Sequence, residues 1–407
     1  MRRHFVLAAF ATTCSVLPAC GSTTVPSDGG PAPGADAAES SVPTATSSIL
    51  AADGATDVTQ TRVEGGSGDS GQTVGLTDAA AVNADASTAD SASADSSPAD
   101  ADADAACGPG MVVIPARTQS FSMGFTASEA PGNAGGPWSC IVGQHQVTFT
   151  YDFCMDAKMV TQTDFVATMG FNPSKHQIPG EALPVDSETW YDAVLYCNAK
   201  SVAEGLTSAY SYGAVTYSGK EGASSVSNIA NVAIDLTRNG YRLPTNAEYE
   251  YAERAGTMGL YFFSPTETAD ITTLGAVYAW YSGNTGGMTT EPSAVYSGPN
   301  GSRPVGLKQP NPWGLYDIIG DLFEWEHDWD GPYALVPEVD PTGPATGTEP
   351  QPAAQCGTFN NTPNQRMAKG GSWHTDVADH MHISYHWEWP PGAVSPELGF
   401  RCVRTAN

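Results

Sequence analysis

Basic residues are scarce. Lys and Arg together number 17 among 407 residues, against 44 Asp and Glu. Neutralising a phosphate backbone needs a basic surface, so nucleic acid is excluded as a partner class. No stretch reaches the run of about 20 apolar residues that a membrane-spanning helix requires. No Cys-x-x-Cys occurs, which argues against a zinc ribbon or a thioredoxin-like centre. No fixed-period repeat is visible. Residues 21–106 contain no Trp, Tyr or Phe, so that segment cannot bury enough apolar surface to offset the entropy of ordering it.

What is present divides the chain in three. Residues 1–20 read MRRHFVLAAFATTCSVLPAC. Arg2 and Arg3 precede a short apolar run from Phe5 to Val16, the pattern of an export signal. The small residues before Cys20 resemble a bacterial lipobox, which implies cleavage before Cys20 and lipidation of its thiol. Gly21 and Ser22 follow, with no acidic residue to hold the chain at the inner membrane. The expected product is an exported lipoprotein anchored through Cys20, at the outer membrane or cell surface. Residues 21–106 carry fourteen acidic side chains and one basic one, Arg62. Like charges favour extension, so the segment reads as a disordered tether. Residues 107–407 hold all nine Trp, with 30 acidic against 14 basic residues. That length suffices for one large core. The acidic balance suits calcium sites or plain solubility.

The folded part reads as α+β, irregular and rich in loops, with 43 Gly and 30 Pro in the chain. Residues 110–124 read as a strand pair, and His145 to Phe153 alternates as one strand. Thr161 to Met169 and Glu188 to Val202 read as helices. Trp190, Ala193, Val194 and Cys197 fall on one face of the second. Thr245 and Glu248 form a T-x-x-E capping box at another helix start. Short strands and long loops are expected from there to the C-terminus. Six cysteines, Cys107, Cys140, Cys154, Cys197, Cys356 and Cys402, suit disulfides in an exported protein. Six allow fifteen connectivities; a Cys107–Cys154 bridge across the first strands, leaving Cys140 and Cys356, is one.

Six blocks stand in a telling order: GMVVIPARTQSFSMG, MVTQTDF, PVDSETWYDAVLYCNAKS, YRLPTNAEYEYAERAG, SRPVGLKQPNPWGLYDIIGDLFEWEHDW, and MAKGGSW with LGFRCVR. Together they resemble the formylglycine-generating enzymes, or sulfatase-modifying factors, across essentially all of 107–404. The resemblance implies that family's variant of the C-type-lectin-like fold. It also implies a Cys197–Cys402 disulfide. Active members oxidise a sulfatase cysteine with copper(I) held by two thiolates, because soft ligands select Cu(I). The resemblance places the active-site serine at Ser372 and those two cysteines at Thr375 and His380. Both thiols are missing, so copper is not expected.

Two metal readings remain. His380, His382 and His386 share one face if Asp379 to Trp387 is a strand, with His374 beyond a turn. Imidazoles suit a transition metal, but alternate residues on a strand face lie nearly 7 Å apart, so one ion does not easily take both His380 and His386; His382 with either neighbour, plus a ligand from elsewhere, is the feasible set. The block Gly320–Trp325 resembles the family's calcium segment. Asp321, the Leu322 carbonyl and Glu324 are the candidate ligands, since Ca²⁺ prefers hard oxygens. Asn284 is a candidate for a second site. Arg242 is expected in a core hydrogen-bond network, and Glu248 and Glu250 in capping and pairing. The expected function is a calcium-supported binding module for a peptide, protein or glycan. The alternative is an oxidase of the family's type, or a His-metal oxidase, acting on a protein cysteine.

Overall fold

Three helices begin where a threonine caps them. Thr161, Thr189 and Thr245 have extended backbones, and their side chains accept from the amides of Asp164, Asp192 and Glu248. They open α1 (Gln162–Met169), α2 (Trp190–Ala203) and α3 (Asn246–Arg254). Asp192 and Glu248 accept in return from the backbone N–H of Thr189 and Thr245, closing two capping boxes. Each such cap stabilises its helix by about 1 kcal/mol. The computed structural model describes residues 107–124, 144–219, 225–264, 271–286, 298–331, 336–347, 363–375 and 380–406. The leader, the tether, Cys20, Cys140 and Cys356 lie outside them.

Helix α2 buries Trp190, Ala193, Val194 and Cys197, the face its spacing predicts. Helix α3 is different. All nine of its residues are buried, including Asn246, Glu248, Glu250, Glu253 and Arg254. A helix this polar stays inside only if its charges are partnered. Arg242 takes both oxygens of Glu248 at 2.6 Å, and Arg254 takes Glu250 at 2.7 Å. A fourth helix, α4 (Ile271–Tyr278), stands where strands and loops were expected. Its only turn signal is Gly275, which the helix tolerates. Among the described residues no helix is long and apolar enough to cross a membrane.

The strands form small sheets. β1 (Met111–Ile114), β4 (Phe153–Asp156) and β14 (Val403–Thr405) make one, and β2 (Ser120–Met123), β3 (His145–Thr148) and β10 (Glu338–Val339) another. β5 (Tyr210–Ser211) pairs with β8 (Ala233–Ile234), and β6 (Val215–Tyr217) with β7 (Val226–Ile229). The last sheet has the order β12 (Trp387–Trp389), β11 (Arg366–Lys369), β9 (Phe323–Trp329), β13 (Leu398–Gly399). Two strand expectations need correction. β1 and β2 exist but do not pair with each other; they take β4 and β3. The run His145–Phe153 is two strands, because the chain leaves one sheet for the other at residues 150–152. Asp340 holds the Thr150 amide at 2.8 Å, and Asp152 holds that of Arg117 at 2.8 Å.

Strand β9, FEWEHDW, alternates aromatics with acids. Phe323 and Trp325 join the cluster around Trp190, Tyr196 and Phe400. Glu324 and Asp328 instead bond Tyr249 and the Asn246 amide of α3. The sheet thus has an oily face and an ionic one.

Cys107 and Cys154 form a disulfide with Cα atoms 5.5 Å apart. Cys197 and Cys402 are buried thiols facing each other, their sulfurs 3.5 Å apart. The bond implied between them is not formed in this structure. Burial, and then the hydrogen bond to Cys197, pushes the Cys402 thiol well up, so thiolate attack is suppressed.

Before α2 the chain buries more acid than it partners. Burial pushes Asp186 up to about 7, although Lys175, Ser187 and His176 donate to it. Burial likewise raises Glu188, with Asp186 and Asp192 adding to it, and neither Glu188 oxygen finds a hydrogen-bond partner in another residue. Asp156 is pushed up to about 6 by burial. These groups bind protons in the folded state that the unfolded chain releases above about pH 4. These carboxyls contribute stability that is lost as pH rises from about 4 through 7, whereas the buried rings His176, His327 and His382, held neutral, work the other way below about pH 6.5. The raised carboxyls outnumber the rings and set the net direction. The midpoint of thermal unfolding is expected several degrees higher at pH 5 than at pH 8, and Glu188→Gln is expected to narrow that gap. A midpoint that rises from pH 5 to pH 8 counts against it.

Candidate functional site

The site segment leaves β11 through Gly370 and Gly371, with φ of +91° and +78°. A Cβ on Gly370 would sit 2.7 Å from the Tyr249 hydroxyl, and one on Gly371 2.6 Å from Met381. Both the left-handed backbone and the close approach require glycine there. The turn delivers Ser372 into the interior, with no exposed surface.

Ser372 and Thr375 then close the loop on themselves. The Ser372 amide donates to Thr375 Oγ1 at 2.8 Å, and Thr375 Oγ1 donates to the Ser372 carbonyl at 3.0 Å. Ser372 Oγ donates to Glu397 Oε2 at 2.5 Å. Glu397 Oε1 lies 2.8 Å from His374 Nδ1. Trp373 is fully buried, bonded through Nε1 to the Pro396 carbonyl at 3.0 Å. Its backbone joins the acidic segment, donating to the Asp321 carbonyl at 2.7 Å. Glu397 is the residue that sequence reasoning missed. It lies immediately before the final block LGFRCVR, and nothing in the sequence ties it to Ser372.

The histidines are not a ladder on a strand. Of the expected strand Asp379–Trp387, residue 379 lies outside the described residues and only Trp387, the start of β12, is extended; the chain bends and turns at residues 382–384 instead. The turn packs Tyr385 against both His380 and His382, ring centroids 5.3 and 5.4 Å apart. His382 is pushed down to about 3, by burial first and then by Lys369, His380 and His386. Burial alone would lower His386 too, but Asp330 at 3.6 Å outweighs it and raises it. Lys369, whose Nζ donates to the Ile383 carbonyl at 2.5 Å, brings a cation into the same interior. Among the described residues no three His, Cys, Asp or Glu side chains converge to hold a metal.

The acidic segment is arranged differently from the expected ligand set. Glu324 has both oxygens on Arg401, at 2.6 and 2.8 Å, so its charge is already balanced. Asp321 Oδ1 accepts from the Arg303 amide at 2.7 Å, and Asp317 Oδ2 from that of Gly306 at 2.6 Å. Their other oxygens, Asp321 Oδ2 and Asp317 Oδ1, are buried without a hydrogen-bond partner. Burial raises both carboxyls, Asp317 to about 6. Two orphaned hard oxygens fit a calcium ion better than the Arg401-bound Glu324 does. Backbone carbonyls such as that of the buried Leu322, and water, would have to complete such a shell. Asn284 closes its own turn, accepting from Tyr281 and donating to the Ala279 carbonyl.

Residues 97–406 match the family described as "Sulfatase-modifying factor enzyme 1-like domain". A relative named "Chaperone protein LppX", from Paenibacillus barcinonensis, is 33% identical over 261 residues, 62% of this chain and 80% of that protein. The formylglycine-generating enzyme of Streptomyces coelicolor is 31% identical over 172 residues, 41% of this chain and 48% of that enzyme. The chain thus spans about half the length of that enzyme. Among solved structures, Treponema denticola variable protein 1 superposes with a TM-score of 0.51 at 25% identity, covering 73% of this chain and 99% of its own. The architecture is that of the formylglycine-generating-enzyme variant of the C-type-lectin-like fold. With its blocks, its fold and its site loop in that order, this chain belongs to the sulfatase-modifying factor enzyme 1-like domain family.

Proposed function

We propose that the domain is a protein-binding module of chaperone type, displayed outside the cytoplasm on the tether and anchored through lipid on Cys20. The observation that carries this reading is the site loop. Where copper oxidation needs two thiolates, this loop has Thr375, closed onto Ser372, and His380, packed edge-on against Tyr385. A loop built from hydroxyl hydrogen bonds holds a shape; it offers no soft ligand to copper. The chaperone name of the Paenibacillus relative supports the same direction. In this reading calcium braces the segment beside the loop through Asp317 and Asp321, with the Leu322 carbonyl.

The test runs both chemistries on the purified full chain. Suppression of aggregation of a denatured exported protein is expected, with no formylglycine in a cysteine-containing peptide given copper and oxygen. Formylglycine formation would overturn the proposal. Calcium at about 100 times its dissociation constant should stabilise the domain by roughly 2.7 kcal/mol. An Asp317→Asn, Asp321→Asn variant should lose that gain; a gain unchanged in the variant removes calcium from these two residues.

A further inference from the structure

Three histidine–carboxylate pairs occur among the described residues, and their exposures differ. In His145–Glu338 the ring side chain is 1% exposed and the acid 27%. In His386–Asp330 both are inside, at 6% and 10%. In His374–Glu397 the order is reversed: the ring is 29% exposed and the acid 9%. In the first two the ring is the more buried partner. The third holds an open ring from behind.

The hold is complete on the inner side. Glu397 Oε1 faces His374 Nδ1 at 2.8 Å, and Oε2 is engaged by Ser372 Oγ at 2.5 Å. The imidazole lies on the Trp373 indole, centroids 5.3 Å apart and planes 26° apart. Trp373 is itself bonded to Pro396, the neighbour of Glu397. Face and edge of the ring are therefore fixed by one short segment. A carboxylate on Nδ1 places the proton there and leaves Nε2, on the far edge, as an acceptor.

We propose that His374 and Glu397 form a proton-accepting dyad, with His374 Nε2 as the reactive atom of the site, taking a proton from a hydroxyl or thiol of a bound molecule. The proton of the X–H bond passes to Nε2, and X keeps the bonding pair as alkoxide or thiolate. Glu397, 2.8 Å from Nδ1, offsets the charge that the ring gains. Return of the proton from Nε2 restores both partners, so the step needs no oxidant and no metal. It adds a reactive group to the domain and does not depend on the chaperone-type reading.

Diethyl pyrocarbonate is the probe, since it acylates only unprotonated imidazole nitrogen. The full chain is treated at neutral pH and each histidine's modification is timed by peptide mass spectrometry. His374 is expected to react faster than His380, His382 and His386 in the same molecule. Glu397→Gln, which keeps the shape of the acid but removes the acceptor that fixes the Nδ1 proton, is expected to slow His374. A plain ion pair would instead lock the ring as unreactive imidazolium, and Glu397→Gln would speed it. Either a His374 no faster than the other three or a faster His374 in the variant overturns the dyad. The first comparison is internal to the native chain, so it stands even if Glu397→Gln fails to fold.

Discussion

Arg242→Met is expected to destabilise the domain by about 3–5 kcal/mol, the loss that follows when one partner of a buried ion pair is removed. Arg242 and Glu248 both have no exposed side-chain surface and meet at 2.6 Å through two hydrogen bonds. Met fills the volume but leaves Glu248 charged or forces it to protonate. Glu248 also caps α3 through the Thr245 amide and accepts from the Tyr151 hydroxyl at 2.8 Å. One substitution therefore disturbs a helix start, a strand connection and the ionic layer together. Urea unfolding followed by tryptophan fluorescence measures it. The double variant Arg242→Met, Glu248→Gln should recover part of the loss, because no buried charge is then left unpaired. A cost under about 1 kcal/mol for Arg242→Met would place that pair with the weak surface bridges.

Removing the Cys107–Cys154 bond is the second large effect. The bond joins residues 47 apart, and closing such a loop in the unfolded chain is worth about 4 kcal/mol. Cys107→Ser with Cys154→Ser should therefore lower the unfolding midpoint strongly. A reducing agent should lower the native chain at least to the same value, and the bridge Cys107–Cys154 accounts for all of its effect if the double variant does not move; among the described residues Cys197 and Cys402 are already thiols. If reduction destabilises the double variant further, a second bond exists in the purified protein, and Cys197–Cys402 and Cys140–Cys356 are the pairs to map.

Local signals were legible and distant partners were not. Thr161, Thr245 and Glu248 were readable as caps because the capping bonds run within one turn. The apolar face of α2 was readable because its spacing is helical. The partner of Glu324 was hidden, because Arg401 lies 77 residues away and a carboxylate in an acidic block reads equally well as a calcium ligand. Asp317 was passed over for the same reason: only the fold shows that its free oxygen and that of Asp321 are both buried. The histidines misled through periodicity. His380, His382 and His386 keep a period of two, but the backbone bends and turns at residues 382–384 and abolishes the shared face. Glu397 became visible only when the chain brought it to Ser372 and His374.

The central strand of the first sheet has a bearing on timing. β4 lies between β1 and β14, and Met155 is opposite both Val112 and Val403. Arg242 and Val403 exchange backbone hydrogen bonds as well. The order of synthesis puts β14 about 250 residues after β4, so this sheet cannot close until nearly the whole domain has left the ribosome. Pairings between segments so far apart also form slowly. Any factor that engages unfolded chains thus has a long interval in which to bind this one. Its cost is that every nascent copy carries the unpaired edge of β4 until residues 403–405 arrive.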